Sequence, residues 1–217
     1  MKIFPDGKYK KVRLAICALS LLATVFYVFL FPYLLYLQYK PQEGDIVFQS
    51  LPRASDLVKA IEGVSESEYS HCGVVVKING KWHVKEALGT VHYTELLTWI
   101  KRGRGYRINI YRFKTDYIKF TNKFVKALDS YQNLPYDFRY KLNDFEIYCS
   151  ELPYRAFKDI TGQDLGKLSK LVDMNWKPYE QTITKYEGGP APLERLMITP
   201  KNLSEASQLE YVQSLGI

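Results

Sequence analysis

Cysteine is scarce in this chain: there are three, at positions 17, 72 and 149. An odd and small number excludes a disulfide framework. No two of them have the spacing of a zinc knuckle, so a cysteine-based structural zinc site is excluded as well. Histidine is as sparse, at 71, 83 and 92. No segment repeats and no tract is of low complexity. A strong charge imbalance is also missing from the body of the chain. Of the net +7, residues 1–13 hold +4, from Lys2, Lys8, Lys10, Lys11 and Arg13 against Asp6, which leaves +3 for the rest. Nucleic-acid binders concentrate Lys and Arg on one face, so this charge argues against a nucleic-acid partner.

Charge is absent altogether from residues 14–39, a predominantly apolar run. About 20 such residues cross a bilayer as a helix. Tyr33, Tyr36 and Tyr39 cluster at its far end, where aromatic rings favour the interface. A cleaved signal peptide has an apolar region of about 7–15 residues ending in a small-residue site. This run is longer and ends in no A-x-A pattern. A lipobox at Cys17 fails because the apolar run follows that residue. A buried core helix is the other reading of such a run. The sequence predicts a basic cytoplasmic tail (1–13), a single-pass transmembrane signal anchor (14–39) and one domain over 43–217. The basic flank keeps the amino terminus in the cytoplasm and puts the domain on the periplasmic or extracellular side. The length of 217 residues suits one globular domain.

After the anchor, G-D-I-V-F-Q (44–49) reads as a strand and 53–62 as an amphipathic helix, followed by a polar loop over 63–70. Residues 70–78 and 81–88 are β-rich runs around Asn79-Gly80, the preferred dipeptide of a two-residue type I′ turn. Thr94 is expected to cap a helix, E-L-L-T-W-I-K-R, that ends at Gly103. Residues 106–113 alternate as a strand; 116–131 and 148–160 read as helices; I-T-P-K-N-L-S-E leads into a last helix. Mixed elements with an antiparallel hairpin predict an α+β domain.

The hairpin brings chemistry together. A turn at 79–80 pairs Ile78 with Lys81 and, outward, Gly73 with Glu86. Side chains alternate faces, so His71, Gly73 and Val75 share a face with Glu86, Val84 and Trp82. Glu86 is the diagonal neighbour of His71, about 7–8 Å away between α carbons. Gly73 leaves room between them. A carboxylate beside an imidazole holds its tautomer and stabilises its cation, as in catalytic triads. A surface ion pair has the same pattern, so the hairpin alone leaves both readings open. His83 and Cys72 point to the other face. His92 lies past the hairpin with no acidic neighbour on a predictable face. The three histidines do not converge, and no metal site or cofactor is expected.

Cys149 stands in E-I-Y-C-S-E-L, where a polar loop turns into a helical pattern. A thiol at a helix N-terminus has a lowered pKa, and the N–H groups there can hold an oxyanion. A structural cysteine fits the same position.

Together these residues resemble the YiiX-like branch of the permuted papain-like hydrolases, relatives of NlpC-type cell-wall peptidases. The stretches that carry the resemblance are G-D-I-V-F-Q (44–49), Y-S-H-C-G-V-V (69–75), K-E-A (85–87), Y-C-S-E-L (148–152) and I-T-P-K-N-L (198–203). The order, His strand first and Cys helix last, is the permutation. The resemblance spans residues 43–217. It implies a circularly permuted papain-like fold, with a small antiparallel barrel-like sheet packed on helices behind one amino-terminal transmembrane helix. It assigns Cys149 as nucleophile, His71 as base and Glu86 as orienting residue. Tyr69, on the His71 face, and Gln49 are the candidates for an oxyanion or substrate-binding role. Cys72 stands where an apolar residue such as Val is expected, and it is expected to face away from the site. The implied function is hydrolysis of an amide or ester on cell-envelope peptide or lipid-linked substrates. The alternatives are a lipid acyl hydrolase or acyltransferase, and a non-catalytic lipid- or peptidoglycan-binding module. The last is disfavoured because all three triad positions are intact.

Overall fold

The computed structural model describes residues 6–143 and 145–217, so part of the basic tail, including Lys2, lies outside the described residues. The chain divides after Tyr39 into two units. In the first, helix α1 (Asp6–Val25) runs through a π-helical turn (Phe26–Leu30) into α2 (Phe31–Gln38). The widened turn has a local cause. Pro32 opens α2 and carries no N–H for the preceding turn, and its ring would crowd the carbonyl four residues back. Residues Tyr9–Gln38 are long and apolar enough to cross a membrane by length and composition. Their most apolar stretch is not covered by protein, unlike a core helix.

The second unit begins with β1 (Ile46–Gln49) and α3 (Asp56–Val64), the latter capped by Ser55, whose Oγ accepts from the Leu57 N–H. Next come β2 (His71–Ile78), β3 (Lys81–Leu88), β4 (Thr90–Glu95), α4 (Leu96–Arg102) and β5 (Ile108–Phe113). Three helices, α5 (Thr115–Ile118), α6 (Thr121–Ala127) and α7 (Glu151–Thr161), follow. The chain ends with β6 (Ser169–Lys170), α8 (Glu180–Glu187), β7 (Leu196–Met197), α9 (Pro200–Ser204) and β8 (Leu209–Leu215). Strands β6 and β7 form a separate pair.

The main sheet has the order β4-β3-β2-β1-β5-β8, antiparallel throughout. The architecture is α+β, as expected, but the sheet is open rather than barrel-like. Closure would join β4 to β8. Instead, the outer edge of β4 is taken by a loop: the Val91 N–H donates to the Leu134 carbonyl, and the Asn133 N–H donates to that of Val91.

Both faces of the central strands are covered, which is why β2 reads C-G-V-V-V without polar alternation. On one face Phe48, Cys72, Val74 and Val76 meet α6 and α7. There the Phe113 ring lies 5.1 Å from Phe124 and 5.4 Å from Phe157. On the other face α4 packs on β3 and β4 and buries Trp99 completely.

The expected helix over 116–131 is broken into α5, α6 and a 3₁₀ turn at Leu128–Tyr131. The breaks let Tyr117 and Phe120 turn to Phe157 while Phe124 reaches Phe113. Thr94 does not cap α4. It lies in β4, and α4 starts at Leu96. The chain ends in edge strand β8, not in the helix α9, which Thr199 and Asn202 close with a capping box.

Candidate active site

The hairpin forms with the register read from sequence, Val74 opposite Lys85 and Ile78 opposite Lys81. Asn79 and Gly80 take the φ values of 49° and 80° that a type I′ turn requires. Gly73 lets Glu86 lean toward His71. A Cβ there would lie 2.4 Å from Val84 Cγ1, 2.9 Å from the Lys85 carbonyl oxygen and 3.2 Å from Glu86 Cβ. His71 Nε2 meets Glu86 Oε2 at 2.5 Å, and the two residues are 1% and 0% exposed. A surface ion pair is thereby excluded.

Glu86 is the centre of a network. Thr94 Oγ1 donates to Oε1 at 2.5 Å and Trp99 Nε1 to Oε2 at 3.1 Å. Arg102 Nη2 donates to Oε2 as well. His92 Nε2 lies 3.6 Å from Oε1, because β4 pairs His92 directly with Glu86. That corrects the expectation that His92 has no acidic neighbour. Burial alone would raise the Glu86 carboxyl, but the hydrogen bonds and charges of His71 and Arg102 outweigh it and hold it at about 2.

Cys149 precedes α7, whose N-cap is Ser150. Pro153 fits in the first turn, where its missing N–H leaves no bond unmade. The helix start is pinned from downstream: Ser150 Oγ donates to the Ile198 carbonyl at 2.8 Å, and the Ile198 N–H donates to Tyr148 Oη at 3.0 Å. Cys149 is 1% exposed and hydrogen-bonded to His71. With Nε2 taken by Glu86, Nδ1 is the ring nitrogen left for the thiol.

Cys72 corrects another expectation. It does face away from Glu86, but α7 lies on that side, so facing away means facing Cys149. The Cys72 thiol hydrogen-bonds to Cys149, and that bond is the largest influence lowering the Cys149 pKa. Burial opposes it, while the hydrogen bond and charge of His71 add to it; the result lies well below the ordinary thiol range. Burial and the Cys149 charge push Cys72 the other way, so it remains a protonated donor. Burial disfavours the His71 cation, yet its bonds to Cys149 and Glu86 prevail and raise it to about 9. The two shifts run in the directions that favour a thiolate at Cys149 and an imidazolium at His71.

Two tyrosines cover this pair. The Tyr136 hydroxyl hydrogen-bonds to Cys149 and lies 3.1 Å from that of Tyr140. The Tyr140 ring centroid is 4.6 Å from that of Tyr148, beside the nucleophile in sequence. Tyr140 sits at φ 57°, a conformation that costs a non-glycine residue energy. Buried Asp137 holds the turn by accepting from the N–H groups of Arg139 and Lys141.

The two oxyanion candidates are placed differently. The Tyr69 ring packs on Phe48 at 5.3 Å, and its hydroxyl bonds to Tyr111 rather than pointing along the His71 face. Burial, with Tyr111, raises its pKa. Gln49 is the strand partner of His71, 1% exposed, and lies against Gly103. Neither Gln49 Nε2 nor Oε1 has a hydrogen-bond partner among the described residues. Leaving a buried amide unpaired costs about 1–3 kcal/mol, a cost native sites bear where a ligand completes the bond.

Sequence reasoning missed Thr94, Trp99, Arg102, Tyr136 and Tyr140. The spacing of Trp99 and Arg102, three apart on α4 and so on one helical face, was the available signal. It pointed nowhere without β4 to carry the helix over Glu86.

Residues 40–213 match the model of the permuted papain-like amidase enzymes, the YaeF/YiiX or C92 family. Uncharacterized protein YiiX of Escherichia coli K12 is 32% identical over 177 residues, covering 80% of this chain and 87% of the relative. A crystal structure of metalloprotein YiiX from Escherichia coli O157:H7 is 30% identical with a TM-score of 0.75, covering 82% of this chain and all of that one.

Proposed function

We propose that this chain, which belongs to the permuted papain-like amidase family, cleaves an amide or ester bond through an acyl-enzyme on Cys149. The observation that carries this reading is the buried hydrogen-bonded series Cys149–His71–Glu86. The thiolate attacks the carbonyl carbon, and His71 Nδ1–H protonates the leaving amine or alkoxide. Water, deprotonated by His71, then attacks the thioester carbonyl, which releases the acid and regenerates the thiolate and the His71 cation. Glu86 keeps the Nε2–H engaged, so Nδ1 faces the sulfur and the imidazolium is stabilised. Gln49 is the better oxyanion donor of the two candidates, because its buried amide is unpartnered whereas the Tyr69 hydroxyl is engaged.

The relative's description as a metalloprotein finds no donor set here: among the described residues no three His, Cys, Asp or Glu side chains group so as to hold a metal ion. No step is therefore routed through a metal. The intact triad positions speak against a non-catalytic binding module.

Incubation with an activated acyl ester is expected to add the acyl mass to Cys149, with no adduct in Cys149→Ala. Gln49→Ala is expected to lower kcat by about 10²–10³ if its amide holds the oxyanion. Loss of Gln49 without any change in kcat would return that role to backbone N–H groups alone.

The apolar helix supports a membrane anchor that retains the domain near envelope peptide or lipid-linked substrates on the periplasmic or extracellular side. The expressed protein is expected to keep its amino terminus. A mature chain starting near residue 40 would mean a cleaved signal instead.

A further inference from the structure

Cys72 lies on the central strand β2, opposite Phe48 of β1 and in line with Val74 and Val76, all of them in the buried core. A valine there would fill the same apolar surroundings, so packing gives no reason for a sulfur. The sulfur does have a neighbour. Its S–H hydrogen-bonds to Cys149, and the Cys149 sulfur also accepts from the Cys72 backbone N–H. Two contacts to one residue hold the Cys149 sulfur against position 72. Both sides of the contact are fixed: β2 is paired to β1 and to β3, and the start of α7 is tied to Ile198. Cys72 is 0% exposed, so no thiol from solution reaches it. The partner within its reach is Cys149.

We infer that Cys72 and Cys149 form a reversible disulfide when Cys149 meets a hydroperoxide, and that Cys72 is the residue that resolves the oxidised sulfur. In its thiolate form Cys149 attacks one oxygen of hydrogen peroxide. An S–O bond forms, the O–O bond breaks, and the departing hydroxide takes the His71 proton and leaves as water. The product is a sulfenic acid. The Cys72 sulfur then attacks the Cys149 sulfur. An S–S bond forms, the S–O bond breaks, and the second hydroxide leaves with the Cys72 proton as a second water. The two sulfurs together lose two electrons, and one peroxide becomes two waters.

The order of the two steps is built in. Burial first, then the bond to Cys149 and the Cys149 charge, hold Cys72 protonated. Turning the thiolate into a neutral sulfenic acid removes that charge, and the Cys72 proton becomes easier to release. The disulfide silences the Cys149 sulfur, and it also keeps it from the sulfinic and sulfonic acids that no thiol reverses. This chemistry requires the sulfur pair and not the hydrolysis.

Peptide mapping of the full chain, oxidised with hydrogen peroxide and digested without reductant, tests it. A Cys72 peptide joined to a Cys149 peptide is expected, about 2 Da lighter than the two thiol peptides together and separated by dithiothreitol. Cys149 carrying two or three oxygens with no such link overturns the inference. So does a link from Cys149 to Cys17 or to a second molecule in place of Cys72, and so do two unchanged thiols at a peroxide concentration that oxidises free cysteine. The second measurement is recovery of iodoacetamide labelling at Cys149. Each protein is exposed to peroxide until its label is lost, then treated with dithiothreitol and scored against its own unoxidised level. The unaltered chain is expected to recover nearly all of its label. Cys72→Val, which keeps the packing, is expected to recover less than about a tenth, because its sulfenic acid meets no thiol and goes on to sulfinic acid. Cys72→Ala takes its place should valine disturb the strand. Equal recovery with and without Cys72 overturns its role. A Cys72–Cys149 link in a protein that takes no acyl adduct supports the inference and sinks the hydrolase reading; an adduct without a link does the reverse.

Discussion

His71→Ala is expected to lower turnover by about 10⁴–10⁶, the range seen when a base and nucleophile act as one unit. The same change is expected to slow iodoacetamide labelling of Cys149 at pH 6 by on the order of 10²-fold. An ordinary thiol, with a pKa of about 8.5, is less than about 1% ionised at that pH. The Cys72 thiol lowers the Cys149 pKa most, against burial, and the hydrogen bond and charge of His71 add to it. Removing His71 removes both a hydrogen bond and a charge. Cys72, pushed upward by burial and by the neighbouring thiolate, is expected to stay unlabelled in either protein. The pH profile adds an independent check. His71 loses its proton at about 9. Turnover needs that proton and is expected to fall as pH rises through about 9, while alkylation needs only the thiolate and is not. Equal, slow labelling of Cys149 and Cys72 at pH 6 would mean that no ion pair exists in the free protein.

Glu86→Ala is expected to cost about 3–5 kcal/mol of folding stability, read as the midpoint of guanidinium unfolding. Four donors converge on this carboxylate: His71, Thr94, Trp99 and Arg102. Its removal strands the buried His71 ring and Trp99 N–H without an acceptor, while Thr94 and Arg102, both part-exposed, can turn to water. Glu86→Gln separates stability from catalysis. The amide oxygen still accepts from part of the network, so the stability loss is smaller. Turnover nonetheless drops by about 10⁴, as when a triad carboxylate becomes an amide and the ring takes the wrong tautomer. The pH dependence follows from direction. The Glu86 pKa of about 2 lies below its ordinary 4.5, so its contribution is complete above about 4.5 and is lost as pH falls through about 2. The His71 pKa of about 9 lies above its ordinary 6.5, so its contribution is complete below about 6.5 and is lost as pH rises through about 9. An unchanged midpoint in Glu86→Ala would mean that the network only orients His71 and does not stabilise the domain.

The hairpin was legible because its determinants are local. Asn79-Gly80 sets the turn, the turn sets the register, and period-two alternation sets the faces. His71 and Glu86 follow from those steps alone. The family resemblance supplied Cys149, which no local rule ties to His71. What was not legible depends on pairings between distant segments. Leu209–Leu215 carries too little alternation to announce a strand, and β5 makes it one. Thr94 looks like a cap because it immediately precedes a helical pattern, but pairing with Val84 holds it in β4 and aims it at Glu86. His92 and Arg102 reach the same carboxylate only once β4 and α4 are in place. Cys72 shows the limit of alternation most clearly. The face it occupies was correct, yet which face meets Cys149 depends on α7, many residues away.

The pin between the start of α7 and Ile198 has a consequence for how the protein is made. Translation delivers the chain from its amino end, so the His71–Glu86 hairpin emerges early and can form at once. Cys149 emerges much later, and the residue that anchors Ser150 follows 48 positions after that. Until Ile198 leaves the ribosome, the Ser150 hydroxyl lacks the carbonyl it donates to and Tyr148 Oη lacks the N–H it accepts from. The start of α7 beside Cys149 is therefore completed only in the last stage of synthesis.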